Sequence, residues 1–164
     1  MPRPTPLPLF YRLTLSFIEP LLAIGGALQA LLYPQSYLDY VTPRTRYTKS
    51  LDPLFSQIVG GWAIIVYLEF YALPHVFHHD LKVWKQCATA FLLSDAMYVY
   101  AIVQDWGLIK VVSPWKWTKT TEWLTMLLTI LPISARLGLL LGVGMGIGAA
   151  SKSGSAMLTR KKAK

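Results

Sequence analysis

Four ionisable residues of this chain stand in apolar surroundings: Glu19, Glu69, Asp95 and Arg136. Arg136 falls inside the run Trp123 to Ala150, which is otherwise apolar enough and long enough to cross a bilayer. A guanidinium at that depth is costly on any insertion scale, so it needs a partner within the protein. Each of the three acids belongs to a different apolar segment, which gives three carboxyl groups against one base. A carboxyl group in excess, beside a paired one, is the arrangement needed to protonate an olefin or epoxide or to shuttle a proton. The structural reading of the same residues is plainer: Arg136 neutralises Glu19 or Asp95 and fixes helix register, while Glu69 reaches the interface.

The histidines offer a second chemistry. His75-Val-Phe-His78-His79 has the HxxHH pattern of the histidine boxes in membrane desaturases and hydroxylases. Spacings of three and four place the imidazoles on one helical face, and imidazole suits iron or zinc. Those enzymes fill two metal sites from several boxes, and this chain has no other histidine, so a complete di-iron centre is excluded. What remains is a mononuclear site completed by Asp80 or Glu69, or, as the better reading, a solvated turn. There is no CxxC pair, GxSxG elbow, HExxH zinc motif or GxxxxGK[ST] phosphate loop. The single Cys87 excludes an intrachain disulfide and reads as packing. No cofactor is expected.

The elements that must hold these residues are membrane spans. Hydrophobic residues make up 54% of the chain and the mean hydropathy is +0.41, above the ~45–50% apolar content of soluble domains. Apolar runs of about 20 residues decide the class, because that length matches the hydrocarbon thickness. Four such spans are read at about 9–32, 54–73, 83–103 and 122–149. They define an all-α, polytopic four-transmembrane-helix bundle over 9–150. An extended, proline-rich segment (1–8) precedes it and a basic tail (151–164) follows. The first run contains Glu19-Pro20 and has no convincing cleavage site after it, so it reads as a retained span rather than a signal peptide. Pro34, Pro43 and Pro53 punctuate a loop from Tyr33 to Pro53.

Helical spacing puts Arg12, Ser16, Glu19, Ala23, Gly26 and Ala30 on one small, polar face of span 1, suited to packing against other helices. Asp95 shares a face with Phe91 and Tyr98, and Arg136 with Thr125, Thr129 and Pro132. Glu19, Asp95 and Arg136 are near the middle of their spans and can meet at one depth, with Glu69 some two turns away. Pro132 removes an intrahelical hydrogen bond and is a candidate kink. Gly138, Gly142 and Gly146 repeat every four residues on another face. This small-xxx-small stripe suits span 1 or 2, through Gly25, Gly26, Gly60 or Gly61, or a second protomer in a homo-oligomer.

The net charge of +8 lies mostly in loops and tails, which suits lipid headgroups better than nucleic acid. Four spans put both termini on one side. With the termini in the cytosol, nine Lys and Arg are cytosolic and six are on the opposite side, a modest positive-inside bias. Lys161-Lys162-Ala163-Lys164 resembles the dilysine retrieval signal of endoplasmic reticulum membrane proteins, with Lys161 and Lys162 as its signal residues; an ordinary basic juxtamembrane tail is the plainer reading. Tyr33, Tyr37, Tyr40, Tyr47, Trp106, Trp115, Trp117 and Trp123 collect on the other side and read as interfacial anchors.

Phe17-Ile18-Glu19-Pro20, followed by Gly25-Gly26, Pro34 and Tyr37-Leu38, resembles the opening of an uncharacterised family of four-span membrane proteins of filamentous fungi. The likeness extends in outline over about residues 9 to 148. It implies no established reaction, but some members lie beside genes for specialised metabolites. A more distant likeness is to small membrane isomerases and terpenoid cyclases that keep acids between their helices. The expectation is an endoplasmic reticulum protein acting on, or accessory to, a hydrophobic small molecule such as a terpenoid, polyketide or sterol-like lipid. The alternative is a non-catalytic scaffold or assembly partner whose buried ion pairs are structural.

Overall fold

The computed structural model describes residues 7–145. Most of the segment 1–8, Gly146, and the tail 151–164 with Lys161 and Lys162 lie outside the described residues. Four helices are long and apolar enough to cross a membrane: α1 (Leu9–Leu32), α3 (Lys49–Val76), α4 (Leu81–Trp106) and α6 (Thr120–Leu141). Two short helices, α2 (Pro34–Val41) and α5 (Leu108–Val111), lie in the connections. No strand occurs among the described residues. Large apolar side chains such as Ile64, Leu93, Met97, Leu127 and Leu137 point outward, as a lipid-facing surface requires.

Local chemistry sets the helix ends. Pro34 and Pro53 stand at the first positions of their helices, where a missing N–H costs nothing. They therefore start α2 and part of α3 rather than interrupt a loop, so the connection expected from Tyr33 to Pro53 is in part helical. Asp80 caps α4, its Oδ1 accepting from the backbone N–H groups of Lys82 at 3.0 Å and Val83 at 3.1 Å. The last span ends at Leu141, earlier than expected. Gly142 takes a left-handed conformation (φ 76°), and Val143 N–H donates back to the Gly138 carbonyl at 2.9 Å, closing the helix with a glycine C-terminal turn.

Two spans are locally widened into π-helix, at Thr14–Ile18 in α1 and Tyr67–Val76 in α3. Pro20 lacks the N–H that would bond the Ser16 carbonyl, and Pro74 stands inside the second π stretch, so each widening accompanies a proline. The π turn also shifts register. Towards the N-terminus of α1 the buried face is Tyr11, Thr14 and Leu15, and Arg12 is exposed instead of joining Glu19.

Helices α1 and α3 pack extensively on one another, as do α4 and α6. The π stretches of α1 and α3 touch, and the pairs meet where the α1 π turn and α2 reach α6. One buried cluster, with Tyr11, Leu15, Leu73, Trp84, Ala88, Ala135 and Leu139, fills the end towards the His75–Asp80 turn. The other fills the opposite end around Tyr37, Phe55, Ile102, Trp106 and Trp117. Tyr37, Trp106 and Trp117 are therefore core residues rather than interfacial anchors, because α2 and the 107–119 connection fold back over the bundle. Tyr33 and Trp115 remain exposed, as an anchor requires.

Candidate functional site

Arg136 is buried within the bundle, and each other span sends it an acid. Its Nη2 donates to Glu69 Oε1 at 3.0 Å and also to Glu19 Oε1, while its Nη1 donates to Asp95 Oδ2. Arg136 and Glu69 are each 1% exposed, and Glu19 is also buried. The guanidinium lies over the Phe91 ring at 5.0 Å, so an aromatic face closes one side of the cation. One side chain thus ties α1, α3, α4 and α6 together.

The geometry depends on the irregularities of the helices. Glu19 directly follows one π turn and Glu69 lies within the other, and these two stretches are packed together. That is how Glu69 joins the cluster, although its sequence position suggests a level two turns away. Arg136 is not central in its helix: it stands five residues before Leu141, so its Cα is about 8 Å from the helix end at the standard rise. Its long side chain points towards the N-terminus of α6, as helical side chains do, and so reaches the acids.

The cluster is incompletely satisfied. Glu19 Oε2, Glu69 Oε2, Arg136 Nε and the neighbouring Ser16 Oγ are buried with no hydrogen-bond partner among the described residues. Buried polar atoms without partners are uncommon, and strain, an ordered water or ion, or a catalytic role accounts for those that occur.

Above the cluster lies a cavity of about 440 Å³, within the range of small-molecule sites. Glu19 and Asp95 form its charged end, and Tyr37, Tyr40, Trp62 and Tyr98 supply aromatic walls. Thr125, Thr129 and Pro132 line it from α6, the face that carries Arg136. Gly26 makes the Trp62 wall possible: a Cβ there would stand 2.7 and 2.9 Å from two ring carbons. The Asp95 side chain is 23% exposed, against 10% for Glu19 and 2% for Glu69, so Asp95 is the acid most open to an occupant and Glu69 is sealed behind it.

The remaining candidates do not join this site. Helix α3 ends at Val76, so His78 and His79 lie against one another in the following turn, their rings tilted by 49° with centroids 3.8 Å apart, and do not share a helical face with His75. Among the described residues, no three His, Cys, Asp or Glu side chains form a metal-sized group. Cys87 is half-buried against the cluster around Trp84. Gly138 packs on Tyr11 of α1, whose hydroxyl would stand 2.9 Å from an added Cβ. Gly142 is the helix terminator, so the glycine stripe is not a continuous helical face.

Sequence reasoning missed the aromatic walls and one further ion pair. Lys110 Nζ donates to Glu122 Oε1 at 2.5 Å, and Glu122 Oε2 accepts from the Thr118 and Lys119 N–H groups, capping α6. The sequence signal was present, since a Glu stands three residues into a helix that follows a basic, Trp-rich connection.

Four apolar helices closed around a buried ion cluster define a multi-pass membrane protein. The chain belongs to the family described as Domain of unknown function (DUF7704), which matches residues 4–146. No curated protein and no solved structure matches it.

Proposed function

We propose that this protein works on a hydrophobic small molecule held within the bilayer, of terpenoid, polyketide or sterol-like character. It acts by acid–base chemistry at Asp95 and Glu19 or as an accessory factor presenting the molecule. The observation that carries this reading is the cavity itself: its walls are largely apolar and aromatic, and its one charged end is formed by the two acids that Arg136 orients. Three carboxyl groups share one guanidinium, so the cluster holds acidic groups beyond those one cation balances. The endoplasmic reticulum is the proposed membrane, with both termini cytosolic, and fungal specialised metabolism the proposed setting. The basic tail and the resemblance of the first span support that assignment.

The test is metabolite profiling of a deletion strain complemented with the intact chain, Asp95→Asn or Glu19→Gln. The proposal expects a compound lost on deletion, restored by the intact chain, and not restored by Asp95→Asn although the protein accumulates. Full restoration by both amide variants would remove the acid–base role.

A scaffold reading has its own observation, since one residue binds all four spans together. It expects Arg136 variants to fail to accumulate while both amide variants keep full function.

A further inference from the structure

Resting on the small-molecule reading, we infer that the cavity is a site for a lipophilic cation, a molecule with an apolar body and one positively charged end seated against Asp95. Two independent features of the cavity agree, its charged groups and its aromatic rings. Its lining includes two carboxyl groups, Glu19 and Asp95, and no Lys, Arg or His, so an occupant meets acidic groups and no basic one. The balancing Arg136 stands behind the acids, 1% exposed, and does not line the cavity. Four aromatic rings, Tyr37, Tyr40, Trp62 and Tyr98, surround the remaining space, and aromatic faces attract cations most strongly where water is excluded.

The polar atoms point the same way. Asp95 gives Oδ2 to Arg136 and keeps part of its side chain open to the cavity. Glu19 also lines the cavity, although its unpartnered Oε2 is itself sealed off, so Asp95 is the acid an occupant meets. A protonated amine supplies a charge and an N–H donor together, and both suit the open part of the Asp95 carboxylate. A neutral alcohol supplies the donor without the charge. The apolar rim residues Leu21, Leu124 and Leu128 are exposed on the lipid-facing surface, so an amphiphile can reach the cavity from the hydrocarbon.

The experiment uses the full chain in zwitterionic lipid nanodiscs, labelled by a photoactivatable dodecyl tertiary amine whose attachment sites are read by mass spectrometry. Competitors are N,N-dimethyldodecylamine and the uncharged tertiary alcohol of the same shape. The amine is expected to compete at roughly tenfold lower concentration than the alcohol, as one desolvated cation interaction requires. Asp95→Asn is expected to abolish most of that preference, Tyr98→Leu to reduce it, and Asp39→Asn on the exposed face of α2 to leave it unchanged. Equal competition by amine and alcohol in the intact protein overturns the cation inference and leaves the small-molecule reading standing. Labelling that avoids the cavity peptides overturns the cation inference as well, while the small-molecule reading keeps its own test in the deletion strain. The intact-protein comparison needs no variant to fold.

Discussion

Arg136 Nη2 donates to both Glu19, which directly follows one π turn, and Glu69, which lies within the other, so two acids share one nitrogen and neither has its second oxygen satisfied. The cluster is therefore asymmetric, with one indispensable cation and acids that exceed it.

Arg136→Met is expected to be far more damaging than any single acid-to-amide change. Removing the cluster's cation leaves Glu19 and Glu69 buried, and Asp95 partly so, without a counter-charge, a loss of about 3–5 kcal/mol for comparable buried pairs. Glu69→Gln keeps the side chain's shape and an acceptor for Nη2 while removing an excess charge, so its cost is expected below about 1 kcal/mol. Thermal unfolding of the purified variants in detergent measures both, and equal losses would contradict the asymmetry.

Gly26→Ala is expected to destabilise the bundle and alter the cavity wall. The new methyl group would stand 2.7 Å from a Trp62 ring carbon, and a rigid indole moves only by repacking. The expected loss is about 1–3 kcal/mol. At Gly60 and Gly61 an added Cβ meets nothing, so alanine there is expected to be neutral or to stabilise by up to about 1 kcal/mol through helix propensity. Melting temperatures of the three variants give the comparison.

Tyr11 and Gly138 are expected to be energetically coupled. The Tyr11 hydroxyl donates to the Val143 carbonyl at 2.7 Å and would stand 2.9 Å from a Cβ at position 138. Gly138→Ala alone forces the hydroxyl away, whereas in Tyr11→Phe the obstructing oxygen is gone. A double-mutant cycle is expected to show a positive rescue of about 0.5–1 kcal/mol. Strict additivity would show that the contact carries no strain.

Glu122→Ala is expected to loosen the start of α6. It removes the acceptor for Lys110 Nζ and for two backbone N–H groups together, costing about 1–2 kcal/mol. Limited proteolysis of the 107–119 connection is expected to be faster in this variant, while Lys116→Ala, with an exposed side chain, serves as the unaffected control.

The ion cluster was legible in the sequence because its physics has few solutions: a cation inside an apolar span must find acids on its neighbours. The three acids were found for the same reason. The level of Glu69 was not legible, since a 3.6-residue period cannot register the widened turns near Pro20 and Pro74 that bring the two glutamates together. The end of α6 was misread because Gly138, Gly142 and Gly146 have the spacing of a packing stripe, while the conformation of Gly142 makes it a stop. Tyr37, Trp106 and Trp117 were read as anchors because an aromatic ring suits both the interface and a packed core. Only the folding-back of α2 and the 107–119 connection decides which.

The order in which the chain is synthesised meets the architecture of its centre in an unfavourable way. Glu19, Glu69 and Asp95 all leave the ribosome before Arg136, so three helices must enter the lipid, or wait beside the insertion machinery, with their acids uncompensated. The cluster closes only once the final span is in place, and a product truncated before it lacks the cation that all three acids contact.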